Sequence, residues 1–227
     1  MTAPMNILFL CSGGGGNLRF IHHLLQLGAL PGITSISVIA DRPCQAVDWA
    51  KAHGLQANII PVSRANQADL LAACKSHHSS IVITNIHKVL DAEIVNAYRG
   101  HIINLHYSLL PAFAGTIGMR SLANALSYGS KIVGATAHHV TDELDAGPPI
   151  AQVAFACNDS QLNDKIVNLM FRAGCIALFS AVSRVNGKPL DLAEASIFSI
   201  KDSTFWLSPP CALPACLSEE YFWESLN

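Results

Sequence analysis

A chain of 227 residues, 51% hydrophobic and 13% charged, can bury a substantial core and is too apolar to be disordered. Its net charge of −2 gives no basic field for nucleic acid or an anionic membrane, so an anionic substrate needs a local site. Seven cysteines, odd in number and without a CxxC pair, argue for reduced thiols in the cytoplasm over a disulfide framework or a zinc site. The first residues lack the basic start of a signal peptide, and no uninterrupted apolar run reaches bilayer length.

The first half alternates strand and helix. Asn6-Ile7-Leu8-Phe9-Leu10-Cys11 is a short apolar run, the pattern of a buried parallel strand. Ser12-Gly13-Gly14-Gly15-Gly16-Asn17 follows, and Leu18, Ile21, Leu24, Leu25 and Leu27-Gly28 read as an amphipathic helix with a glycine stop. Strand, glycine loop and helix gather backbone N–H groups and a helix N-terminus around an anion. Gly14, Gly15, Gly16 and Asn17 are therefore expected to bind a phosphate or carboxylate, the plainer reading being a tight strand–helix turn. The lysine of an ATP-binding P-loop is missing. Further strands are expected over 34–40, 58–62, 81–84 and 101–106, and helices over 47–53, 65–76 and 92–98. Pro61 marks an edge or an end. This alternation predicts a doubly wound, mostly parallel α/β sheet flanked by helices, with ligands outside the C-terminal strand ends.

Beyond Pro111 the pattern changes. A helix over 119–128 precedes a strand over 131–140 and an antiparallel partner over 149–157, joined by the loop 142–148. Residues 160–164 form an N-cap region for a long helix that stops at Asn186-Gly187. The expected organisation is one domain over 1–200 and an irregular tail over 201–227, rich in proline and aromatic residues.

Chemistry concentrates at Asn104-Leu105-His106-Tyr107-Ser108-Leu109-Leu110-Pro111. Asn104 and His106 stand two positions apart, on one side of an extended chain. A carboxylate from Thr141-Asp142-Glu143-Leu144-Asp145-Ala146-Gly147 can meet them. The amide donates to an oxyanion, the imidazole moves protons and the carboxylate fixes or shares them, a set suited to acyl transfer. Taken singly, each has a plainer role: a turn cap, a strand-end histidine, an Asx turn before Gly147.

With Ala112-Phe113-Ala114-Gly115 added, this stretch resembles the folate-dependent formyltransferase family, and within it most of all the members that formylate glycinamide ribonucleotide in purine synthesis. The resemblance spans roughly 5–185 and includes the loop at 12–17 and residues 138–148. It implies a Rossmann-like formyltransferase fold, 10-formyltetrahydrofolate as formyl donor, no metal, and Asn104, His106 and Asp145 as the catalytic set. It implies folate-binding walls at Lys88, Val89 and Leu90 and at Val140, Thr141, Asp142, Glu143 and Leu144. Substrate contacts are implied at the glycine loop, Ser108 and His138, and a cis peptide before Pro111. His139 is expected on the other face of its strand. Arg64 is a further candidate for the anionic folate tail, against the plainer reading of a surface arginine. The implied partner is a small-molecule amine, phosphorylated if it is glycinamide ribonucleotide, with no nucleic acid or membrane. The expected assembly is a monomer or homodimer.

The acceptor side departs from that family. Lys88 stands where the family commonly has arginine, keeping the charge without the planar fork. Gly16 replaces a hydroxyl residue, and Thr116-Ile117-Gly118-Met119 replaces a histidine-containing stretch. Phe171-Arg172-Ala173-Gly174-Cys175 lacks a Glu-His pair near the substrate amine, with Ala173 approximately at the carboxylate's place. Arg172 is either a new anion contact or a helix-surface residue. The expected acceptors are therefore glycinamide ribonucleotide, or another amine such as an amino sugar or amino acid. A 10-formyltetrahydrofolate hydrolase and a non-catalytic folate-binding protein are the rival classes.

Overall fold

A computed structural model describes residues 4–63, 67–187, 197–200 and 202–226. Arg64 and the first two residues of the helix expected over 65–76 lie outside the described residues. The chain divides into two compact units, Met1–Asn104 with Val140–Asp142, and Leu105–His139 with Glu143–Asn227.

In the first unit, strands β1 (Met5–Cys11), β2 (Ile33–Ala40), β3 (Gln56–Ile59), β4 (Ile81–Asn85) and β5 (Ile102–His106) pair in parallel in the order β3-β2-β1-β4-β5. The last two residues of β5 belong to the second unit. Helices α1 (Gly16–Gln26), α2 (Gln45–Ala52), α3 (Ala68–Ser76) and α4 (Ala92–Ala97) alternate with the strands. Ile7, Leu8, Phe9 and Leu10 are all fully buried, as a strand covered on both faces requires. Leu8, Leu10, Val82 and Ile102 share a cluster with Leu70, Ile94 and Val95 from the helices. Asp91 starts α4 by accepting the Ile94 N–H at 3.0 Å. The strand expected over 58–62 lies two residues earlier. The Ile60 N–H makes a bond to Ala40 O at 2.8 Å, and Pro61 has no N–H to continue the ladder.

In the second unit, β6 (Ile132–His139), β7 (Pro149–Ala156), β8 (Ile197–Ile200) and β9 (Ser203–Ser208) form an antiparallel ladder in the order β6-β7-β9-β8. With them come α5 (Arg120–Tyr128), α6 (Asp164–Val185), a 3-10 turn Ala215–Ser218 and α7 (Glu220–Glu224). Asn163 caps α6 by accepting the Ile166 N–H at 2.9 Å. This helix is long and apolar enough to cross a bilayer, but 78% of its most apolar stretch is buried inside the protein. The architecture is the expected α/β one: parallel strands flanked by helices, with an antiparallel extension.

Within the segment expected to be an irregular tail, the described residues include β9, the 3-10 turn and α7. β9 pairs with β7, and Phe205 lies 5.4 Å from Phe155 and stacks on Phe198 at 5.2 Å. Arg172 is neither on the surface nor open to a ligand. It is 5% exposed, its guanidinium meets Glu220 in two hydrogen bonds of 2.9 and 2.6 Å, and it sits 5.1 Å from the Trp223 ring. Burial of a cation on α6 thus demands the carboxylate that α7 supplies.

Candidate active site

His106 ends β5. Leu105 and Tyr107 turn to α6, where a Cβ on Gly174 would stand 2.7 Å from the Tyr107 ring and 3.1 Å from Leu105. Strand alternation sends His106 the other way, and it is only 5% exposed. Its Nδ1 lies 3.3 Å from Asp145 Oδ2. Its Nε2 lies 3.1 Å from the Phe113 carbonyl oxygen and 3.3 Å from Ser121 Oγ. A carboxylate and a carbonyl only accept, so a ring with a proton on each nitrogen satisfies both at once.

Asp145 is itself held. Its Oδ2 accepts the Gly115 N–H at 2.7 Å, and its backbone adopts φ 53°, a left-handed conformation that aspartate tolerates better than most residues. Phe113 also has a positive φ of 57°, a strained conformation for a bulky side chain, and this turns its carbonyl onto His106. Thr116 Oγ1 donates to the same carbonyl.

His138 on β6 is the second imidazole near Asp145, with Nε2 3.8 Å from Oδ1. Its Nδ1 donates to the His139 carbonyl at 2.9 Å, and burial lowers its pKa, so Nε2 is left as a bare acceptor. That nitrogen is buried and has no hydrogen-bond partner among the described residues. It fits a donor brought by a ligand.

The loop after His106 is braced from below. Thr136 Oγ1 donates to Ser108 O at 2.7 Å and accepts from Leu110 N and Gln152 Nε2, each at 3.0 Å. Gln152 Nε2 also reaches Leu110 O at 3.2 Å. The Leu110–Pro111 bond is cis, as the resemblance implied. Ser108, expected to touch substrate, is buried and donates to Ala112 O. Its hydroxyl is used by the loop itself.

The first unit carries the other expected residues. Gly15 has φ 76°, and a Cβ there would meet the Ala46 Cβ at 2.8 Å. Close packing against α2 therefore accounts for the glycine at this position. Gly14 is exposed, Gly16 opens α1 and Asn17 is buried in its first turn. Lys88 is exposed and Val89 is 49% exposed, whereas Leu90 belongs to the core with Val140 packed beside it. Gln67 pins this loop, donating to Val89 O at 2.8 Å and accepting the Asp91 N–H at 3.1 Å. The Val140 N–H donates to Ile102 O at 3.1 Å. Asn104 is half-buried, level with Thr84 of β4, and Thr141 is half-buried, while Asp142 is exposed. Glu143 and Leu144, in the second unit, are exposed. Sequence reading missed Gln67, Ser121, Thr136, Gln152 and the backbone groups of Phe113 and Gly115. Only the Gly115 turn carried a visible signal.

A buried imidazole–carboxylate pair at the end of a parallel strand can hold and move a proton. The formyl transferase family model matches residues 5–182, and the chain belongs to that family. It is similar to phosphoribosylglycinamide formyltransferase of Mycobacterium tuberculosis, 33% identical over 165 residues, covering 66% of this chain and 71% of that protein. It is also similar to formyltetrahydrofolate deformylase of Haemophilus influenzae, 39% identical over 125 residues, covering 55% of this chain and 41% of that protein. Among solved structures, phosphoribosylglycinamide formyltransferase from Coxiella burnetii superposes with a TM-score of 0.72 at 26% identity, covering 89% and 93% of the two chains. The chain spans about half the length of its chloroplastic relatives from Arabidopsis thaliana and Vigna unguiculata, 52% and 54%.

Proposed function

We propose that this chain transfers a formyl group from 10-formyltetrahydrofolate to a primary amine. The observation that carries the reading is the His106 ring, gripped by Asp145 on one nitrogen and the Phe113 carbonyl on the other. The unpartnered Nε2 of His138 and the exposed Leu144, both in the second unit, suit a ligand with polar edges and an apolar face. This reading assigns donor contacts to Lys88, Val89 and the backbone at Leu90 and to residues 140–144. The donor supplies the formyl carbon. Asn104 donates its amide N–H to the formyl oxygen, and His106 in its protonated form stabilises the negative charge that grows there. One such donor is worth on the order of 10²–10³ in rate. Asp145, 3.3 Å from Nδ1, orients the imidazole and takes up the proton released by the attacking amine, which ends on the leaving nitrogen. Positioned acid–base help of this kind adds roughly 10²–10⁴.

Glycinamide ribonucleotide is the acceptor this reading names first, supported by the mycobacterial likeness, with the backbone of Gly14–Asn17 as its phosphate contact. We read the protein as cytoplasmic, a monomer or homodimer. A second reading, hydrolysis of the same donor by water, is favoured by one observation. Ala173, Gly174 and Cys175 are fully packed, and Tyr107 leaves no room for a side chain at Gly174. Together with the deformylase likeness, this removes a carboxylate that could hold a substrate amine.

Tetrahydrofolate release from 10-formyltetrahydrofolate, measured with and without glycinamide ribonucleotide, tests both. Release only with that amine supports the purine reading, and release without any amine replaces it by the hydrolase. No release in either case sends the search to amino sugars and amino acids. His106→Ala must abolish whichever activity is found.

A further inference from the structure

We propose that Ser121 is a positioning residue for His106, fixing the Nε2 edge of the ring so that Nδ1 stays on Asp145; the catalytic part of this inference rests on the formyl-transfer reading. Ser121 lies in the first turn of α5 and is fully buried, and its hydroxyl caps nothing, since the N-cap of that helix is Met119. The hydroxyl has one proton. It goes to the Thr116 carbonyl at 3.3 Å, which leaves the oxygen to accept from Nε2 at 3.3 Å. The Nε2–H is therefore shared between the Phe113 carbonyl and Ser121.

The two contacts differ in what stands behind them. Phe113 belongs to a loop with positive φ at Phe113, Gly115 and Gly118, whereas Ser121 is carried by a helix. An imidazole turns about a broad χ2 torsion, so a single loop carbonyl leaves it free to rock. A helix-borne acceptor removes that freedom. Ser121 also ties the loop down through Thr116, and this loop supplies both the Phe113 carbonyl and the Gly115 N–H that holds Asp145. One hydroxyl thus orders both members of the acid–base pair.

Serine, histidine and aspartate in line form the pattern of an activated nucleophile. Here the hydroxyl is fully buried and directs its proton away from the ring, so no covalent step is assigned to it.

The test is Ser121→Ala, with Ser183→Ala, a buried serine on α6, as the matched control. Steady-state kinetics are paired with ¹⁵N spectra of the histidine rings and a melting curve. We expect kcat to fall roughly tenfold with KM for 10-formyltetrahydrofolate within about twofold, and the His106 Nε2 resonance to move. The control should leave all three unchanged. A wild-type kcat with an unmoved Nε2 resonance overturns the proposal. So does a loss of kcat that tracks a lowered melting temperature while Nε2 stays in place, since that is a merely structural role. If the wild-type protein turns over no folate with glycinamide ribonucleotide, with amino sugars or amino acids, or with water, the formyl-transfer reading fails, and the Nε2 comparison still decides whether Ser121 sets the ring.

Discussion

β1 in the first unit buries four consecutive apolar side chains, Ile7 to Leu10, whereas the middle of β6 in the second unit buries Thr136, whose hydroxyl serves three polar groups. Apolar burial stabilises without direction, because it depends on area removed from water. A buried hydroxyl or guanidinium is stable only when particular partners stand at particular angles. The His106–Asp145 pair sits in the unit of the second kind. A ring that must present one nitrogen to a carboxylate needs directional support, and the second unit is rich in it. The first unit gives breadth instead: a parallel sheet with exposed loops at Lys88 and Gly14.

That contrast can be broken by substitution. The largest effect is expected at Gly134, where a Cβ would lie 2.1 Å from the Val153 carbonyl and 2.9 Å from the Ala154 Cα. Gly134→Ala should yield no folded protein, or a loss of more than about 4 kcal/mol in urea unfolding. A wild-type midpoint would mean that the β6–β7 ladder is far more yielding than its geometry. Next comes Glu220→Gln, which leaves the Arg172 charge without its carboxylate. Because the Glu220 side chain is 29% exposed, water replaces part of the loss, and about 2 kcal/mol is expected. A thermal melt reads it, and an unchanged melting temperature would detach α7 from the stability of α6. A pair of threonines sharpens the comparison most. Thr136→Val should cost about 1–3 kcal/mol by stranding the Leu110 N–H. Thr84→Val, also buried, in the first unit, but without a side-chain hydrogen bond among the described residues, should cost under about 0.5 kcal/mol. Equal costs at the two threonines, measured by denaturant unfolding, would erase the distinction between the units.

The same distinction governs what could be read from the sequence. β1 and β4 are legible as apolar runs, and α1 as a stripe ending at Leu27-Gly28, because area and periodicity are local properties. His106 and Asp145 were found through a motif and do meet. Ser121, Thr136 and Gln152 were not found, since each is an ordinary polar residue until the fold supplies its partner. The tail escaped for a related reason. β9 flanks its apolar residues with serine and threonine instead of running apolar throughout, and Arg172 meets its carboxylate 48 positions away. Ser108 shows the converse: its place in the motif suggested a ligand contact, and the loop uses it internally.

The clamp on Arg172 also bears on how the chain is made. A ribosome delivers this arginine 48 residues before the glutamate that neutralises it. Through that interval α6 carries a cation in its apolar face with no counter-charge, so the second unit reaches its final packing only when the last helix has emerged. The β1–β5 sheet, whose strands all lie within the first 106 residues, has no such wait. An amino-terminal half with its own core, followed by a half sealed by its final turn, leaves a late window in which an incomplete apolar face is open to association, and stalling or truncation near Glu220 would prolong it.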